Sequence, residues 1–179
     1  MTHITLAVTG SISAYKAADI TSQLTKLGFE VKVLMTPSAQ KFITPLTLQV
    51  LSTNQVELDV MMEDDPQRIE HIDIGKETDL FLVAPASANT IAKLAMGLAD
   101  NMVTSTALAL PQRTKKLLAP AMNTKMLDLP ATQRNLKLLQ DYGYQIIQPR
   151  DAVLACGDKG SGALATVETI VEAVKENCL

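Results

Sequence analysis

Two side chains in this sequence stand where they could move protons, Cys156 and His71. Cys156 lies in Ala155-Cys156-Gly157-Asp158-Lys159-Gly160-Ser161-Gly162, and glycines let the backbone fold tightly and uncover a thiol. That setting suggests a lid over a reaction centre. An isolated cysteine is more often a small buried apolar residue, so local sequence leaves both readings open. His71, in Glu70-His71-Ile72-Asp73, precedes an apolar run, a place from which an imidazole can exchange a proton near neutral pH. A solvated histidine at a helix start is the competing reading. Asn123, in Ala119-Pro120-Ala121-Met122-Asn123, offers a neutral amide able to hold a carboxylate without adding charge, or else sits in a solvated turn. Cys178 is next to the last residue and His3 lies next to the start of the first strand, away from the end that would hold a site, so neither is assigned chemistry. Two histidines and two cysteines without close pairs do not make a zinc spacing, and no metal is expected.

Three turns could hold a ligand for this chemistry. Thr9-Gly10-Ser11-Ile12-Ser13-Ala14 leaves an apolar run and opens a helix-like one, where unpaired N–H groups favour a phosphate. The dinucleotide fingerprint needs more glycines than Gly10, and the second strand ends in Thr36-Pro37-Ser38 instead of an acid for a ribose, which disfavours NAD. Neutral donors suit a single phosphate or ribityl chain, so a mononucleotide such as FMN fits. Ser11, Ser13 and Ser38 as plain helix caps are the alternative on spacing alone. Pro85-Ala86-Ser87-Ala88-Asn89-Thr90 is the third such turn.

The elements that must position these groups follow a βαβ rhythm. Strands are predicted over 4–9, 30–35, 56–60, 80–84, 116–119 and 145–147, with a first helix over 14–27 that ends at Gly28 and a later helix entered through Thr44-Pro45. Residues 81–84 are apolar throughout, as in a strand covered on both faces, and should be central. The expected fold is α/β: a doubly wound parallel sheet in a flavodoxin-like or Rossmann-like three-layer sandwich. Strand ends in such a sheet share one edge, so the turns after Thr9, Met35 and Ala84 should converge on one crevice. Residues 149–165 are predicted as the longest loop.

The chain has 179 residues, 47% apolar and 20% charged, which fits one domain over 1–179 with an ordinary core. A net charge of -3 with scattered Lys and Arg argues against nucleic acid, and no apolar run is long enough to span a bilayer. With no disulfide framework and no charged leader, the expected compartment is cytoplasmic.

Taken together, Gly10-Ser11-Ile12-Ser13-Ala14-Tyr15-Lys16, His71-Ile72-Asp73, residues 85–90, Ala99-Asp100-Asn101, residues 120–126 and residues 155–162 resemble the flavin-dependent cysteine decarboxylases over nearly the whole chain. The resemblance implies FMN as cofactor, bound by Gly10, Ser11, Ser13, Thr36, Ser38, Ser87, Ala88, Asn89 and Thr90, with Ala99, Asp100 and Met102 bordering the ring. It implies that His71 and Cys156 are catalytic, and that Asn123 with Met122 meets the substrate carboxylate. It further implies a homo-oligomer, a trimer or a dodecamer of trimers, with FMN near a subunit boundary that His71 can cross. The family pattern has Trp after the Met126 position and Arg-Met after Gly162, where this chain has Leu127 and Ala163-Leu164. Bifunctional relatives carry a ligase domain after this one, so a separate phosphopantothenate-cysteine ligase is expected to supply substrate.

The activity so implied is decarboxylation of 4'-phospho-N-pantothenoylcysteine to 4'-phosphopantetheine in coenzyme A biosynthesis. Direct loss of carbon dioxide from a cysteine carboxylate leaves an unstabilised carbanion, so an electron sink is needed. Oxidation at the thiol-bearing carbon creates one, a thioaldehyde; loss of carbon dioxide leaves an enethiol, and return of hydride with a proton from Cys156 gives the saturated thiol. Decarboxylation of a peptide's C-terminal cysteine, flavin prenyl transfer and a noncatalytic regulatory flavoprotein are the competing readings.

Overall fold

The computed structural model describes residues 1–62, 67–153, 157 and 159–178. Its main feature is a six-stranded parallel sheet. β1 (His3–Val8) is followed by a 3-10 turn (Ile12–Lys16) and α1 (Ala17–Lys26), and β2 (Glu30–Met35) by α2 (Pro45–Ser52). β3 (Val56–Glu57), α3 (Glu70–Glu77), β4 (Leu80–Ala86), α4 (Ala88–Met96) and α5 (Met102–Ala109) come next. Then follow β5 (Lys115–Pro120), α6 (Thr124–Asp128), α7 (Pro130–Asp141) and β6 (Tyr144–Ile146).

The strand order is β3-β2-β1-β4-β5-β6, so the chain runs outward from β1 to one edge and then returns to build the other half from β4. The order reverses between β1 and β4, where the loops leaving the strands' carboxyl ends turn to opposite faces and open a crevice. All seven residues of β4 are buried, in keeping with its predicted central place.

The alternation of side chains assigns the two faces. Ile4, Leu6 and Val8, with Leu80, Leu82 and Ala84, face Ile20 and Leu24 of α1, Leu48 of α2 and a last helix, α8 (Val167–Cys178). Ala7, Phe81 and Val83 face Ile91 of α4, Val103 of α5 and Leu139 of α7. The expected three-layer α/β sandwich is therefore present. The first helix differs in form, since residues 12–16 wind as 3-10 before α1 begins. Gly28 follows it at φ +87, and Thr44 caps α2 by accepting from the Thr47 N–H with Pro45 at its first position.

Residues 149–165 are not one loop. β7 (Arg150–Val153) and β8 (Lys159–Ala163) pair antiparallel outside the main sheet, with Arg150 opposite Ala163 and Val153 opposite Lys159. Ladder hydrogen bonds, which small residues permit as well as branched ones, hold a segment that composition had marked as irregular.

Candidate active site

The turns after β1, β2 and β4 meet at the sheet's carboxyl edge, as expected. Thr9 ties two of them together: its hydroxyl donates to the Pro85 carbonyl at 2.6 Å and accepts from the Ser87 N–H at 2.9 Å. Thr9 is fully buried, so both bonds act away from competing water. Gly10 brings in the third turn. A Cβ placed there would lie 2.5 Å from the Cβ of Ser38, a distance that only glycine avoids.

Around this junction lie two neighbouring cavities. The first, of about 340 Å³, is lined by Gly10, Thr36, Ser38 and residues 87–90, with Lys93, Asp100, Asn101 and Met126 on its outer side. Lys93 pairs with Asp100 and, by that hydrogen bond above all, holds its carboxyl below the ordinary carboxylate range. The second, of about 510 Å³, shares Gly10, Ser87, Ala88 and Met126 with the first and continues past Ser11, Ser13, Met122 and Asn123 to the β7–β8 hairpin. Ile12, Tyr15, Phe42, Met126 and Val153 give its mouth an exposed apolar rim.

The serines are helix caps and cavity walls at once. Ser11 accepts from the Ser13 N–H and Ser87 from the Thr90 N–H, which fixes their side chains where they line the cavities, and the Ser87 hydroxyl donates in turn to the Thr90 hydroxyl oxygen at 3.2 Å. The Ser38 side chain makes no capping bond to its short helix. Asn123 caps α6 by accepting from the Lys125 N–H at 2.9 Å, so the amide is held at the cavity wall by the helix it starts.

The hairpin is docked onto the segment carrying Asn123. Met122 N–H donates to the Gly162 carbonyl at 2.9 Å and the Thr124 hydroxyl donates to that of Ser161. Gly162 sits at φ +130, and any Cβ there would collide with the Met122 carbonyl oxygen. Arg150, Ala152, Val153 and residues 162–164 consequently form one side of the larger cavity.

Three predicted site residues line neither cavity, and a fourth is outside the described residues. Cys156 lies outside the described residues, although strands on both sides of it border the cavity. His71 is the second residue of α3, half-buried, and lines neither cavity; its Nδ1 is buried with no hydrogen-bond partner among the described residues. Met102 begins α5 inside the core, and exposed Ala99 precedes the Asn101 cap without lining either space. Sequence reasoning assigned nothing to Tyr15, Lys16, Phe42, Met126 or Arg150, all of which line the larger cavity.

The family model named Flavoprotein matches residues 1–179. The chain belongs to this flavoprotein family. A probable phosphopantothenoylcysteine decarboxylase of Streptococcus mutans is 63% identical, the match covering 97% of both chains. The coenzyme A biosynthesis bifunctional protein CoaBC of Bacillus subtilis is 45% identical over 98% of this chain, which spans 43% of that longer protein. Among solved structures, a cysteine-to-serine mutant of PPC decarboxylase complexed with pantothenoylaminoethenethiol superposes with a TM-score of 0.88 at 32% identity, covering 98% of this chain and 97% of the other. The FMN-dependent cysteine decarboxylase SpaF reaches 0.85 at 27% identity, covering 100% and 98%. The likeness to flavin-dependent cysteine decarboxylases drawn from six motifs is thus borne out.

A flavoprotein of this family needs a place for a flat ring, a ribityl chain and a phosphate. The smaller cavity, with hydroxyls from two turns and a glycine of the third whose Cβ would crowd the Ser38 turn, fits the polar part of FMN.

Proposed function

We propose that residues 1–179 act as one FMN-binding domain that decarboxylates 4'-phospho-N-pantothenoylcysteine to 4'-phosphopantetheine, a step of coenzyme A biosynthesis. The observation that carries this reading is the pair of cavities joined at Gly10, Ser87, Ala88 and Met126, one walled by hydroxyls and the other by apolar side chains and Asn123. It agrees with the name of the Streptococcus mutans relative.

FMN, when bound, supplies an acceptor and donor of two electrons. Every other task falls to the chain. The Ser11 and Ser13 hydroxyls of the first turn hold the cofactor phosphate, and Thr36, Ser38 and residues 87–90 hold its polar chain. Asp100, kept ionised by Lys93, orders the outer edge, with Ala99 and Met102 beside it in the sequence. Asn123 takes the substrate carboxylate through its amide and Met122 packs against it, which places the thiol-bearing carbon toward the neighbouring cavity.

His71 holds or accepts a proton as that carbon is oxidised to the thioaldehyde. Since its imidazole lines neither cavity of its own subunit, it acts on a neighbour's site in a homotrimer or an assembly of trimers. The exposed apolar rim is the surface such a neighbour covers. After carbon dioxide leaves, Cys156 donates a proton to the enethiol carbon, and with the hydride that the bound cofactor would return the saturated thiol results. The protein works in the cytoplasm on a substrate made by a ligase.

The test is purification followed by an absorbance spectrum and incubation with 4'-phospho-N-pantothenoylcysteine, reading carbon dioxide and the mass of the thiol. A yellow protein that yields both carbon dioxide and the saturated thiol supports the reading; one that stops at the enethiol points to the peptidyl-cysteine type of reaction.

A further inference from the structure

The larger cavity is wider than a cysteine needs and is unevenly charged. Among the described residues lining it, Lys16 and Arg150 are the ionised side chains, and both are cationic. They come from segments 134 positions apart in the chain, the end of the 3-10 turn and the first residue of β7, so the fold and not local sequence brings them to one space. Arg150 is braced: its Nε donates to the Leu164 carbonyl at 3.2 Å, across the base of the hairpin where Arg150 pairs with Ala163. With Nε engaged there, the two terminal nitrogens remain as a fork of the kind that matches a phosphate bidentately. Among the described residues neither cation forms an ion pair. Glu168 feels Lys16 only as the smallest cause lowering its carboxyl, after its own backbone N–H and the Thr166 hydroxyl.

We infer that Lys16 and Arg150 form an anion subsite for the substrate's terminal phosphate. The inference rests on the function proposed above, in which the substrate carries two anionic ends. Asn123 serves the carboxylate and leaves the cations for the other end. The apolar residues of the same lining, Ile12, Phe42, Val153 and Leu164, suit the branched, uncharged middle of the molecule. The cofactor's phosphate is the other source of the same chemistry, but the Thr36, Ser38, Ser87 and Thr90 hydroxyls line the smaller cavity, whereas Lys16 and Arg150 line only the larger one. Lys16 and Arg150 therefore set specificity for a phosphorylated substrate.

The experiment compares kcat/KM for 4'-phospho-N-pantothenoylcysteine and for the same compound without phosphate, on FMN-loaded wild type, Lys16→Gln, Arg150→Gln and Arg150→Lys, with FMN dissociation measured alongside. Wild type should prefer the phosphorylated substrate by roughly ten- to a hundredfold, the value of one or two charge-assisted hydrogen bonds. Each glutamine variant should bring that ratio toward one through KM, and Arg150→Lys should fall between. Equal use of both substrates by wild type, or variants that keep the wild-type ratio, overturns the subsite while leaving decarboxylation standing. Variants that lose FMN with the ratio unchanged assign the cations to the cofactor and overturn it as well. Turnover of neither substrate by the loaded wild type overturns the proposed function and the subsite together.

Discussion

Gly10 is where the turns after β1 and β2 touch, and its missing Cβ leaves room for the Ser38 turn beside the smaller cavity, the proposed place of the cofactor. Gly10→Ala should weaken FMN binding by at least about tenfold, equivalent to about 1.4 kcal/mol, because the new methyl must push the Ser38 turn away. Flavin retention on gel filtration reads this directly, and unaltered retention would mean that the Ser38 turn takes no part. Thr9 makes a paired prediction. Thr9→Val removes the bonds to Pro85 and Ser87 and should cost about 1–3 kcal/mol in stability with weaker FMN binding. Thr9→Ser keeps the hydroxyl and should restore the flavin affinity; equal flavin affinities in the two variants would refute the positioning role. Gly10 and the serines were legible because a strand-to-helix turn advertises its N–H groups locally. Lys16 and Arg150 were not, since a cavity wall built from both ends of the chain leaves no pattern of spacing. Met102 shows the reverse limit: likeness to relatives put it beside the ring, while its place at the start of α5 buries it in the core.

Composition misled most at the β7–β8 hairpin. Gly157, Gly160 and Gly162 read as an irregular loop, yet Gly160 and Gly162 lie in β8 because α6 and the Met122 backbone press against them too closely for a side chain. Gly160 would meet the Thr124 hydroxyl and Gly162 the Met122 carbonyl. Gly162→Ala adds a residue unsuited to φ +130 as well as that collision, and should shift the hairpin off the Asn123 segment. The expected result is a loss of at least about tenfold in kcat/KM, or about 1.4 kcal/mol in transition-state binding, with FMN still bound. Loss of FMN in step with activity would mean that the hairpin serves the cofactor site instead. The regular elements were easier to read: β2 matches its predicted bounds, and β1, β4 and β5 differ by a residue or two at their ends, since continuous apolar runs mark buried parallel strands.

The strand order supplies what no single motif contains, a reversal between β1 and β4 that opens the crevice where Thr9 and Ser87 meet. Fold class and crevice position were legible from the βαβ rhythm, whereas assembly is not encoded in periodicity. The distance of His71 from its own cavities leads to a complementation experiment. His71→Asn and Cys156→Ser, each inactive in forming the final thiol, should regain part of the activity when dissociated and reassembled together, because some sites then receive an intact His71 from one copy and an intact Cys156 from another. No recovery in verified mixed oligomers would place both residues' work within one subunit.

The proposed cycle borrows two electrons from the substrate and returns them after carbon dioxide has left. A single turnover of the FMN-loaded protein with 4'-phospho-N-pantothenoylcysteine, followed by flavin absorbance and product mass, tests that directly. The predicted result is carbon dioxide and saturated thiol in equal amounts, with the flavin bleached transiently and oxidised again at the end; Cys156→Ser should instead accumulate the enethiol. Carbon dioxide release with no change in flavin absorbance at any time, or full thiol formation by Cys156→Ser, would contradict it.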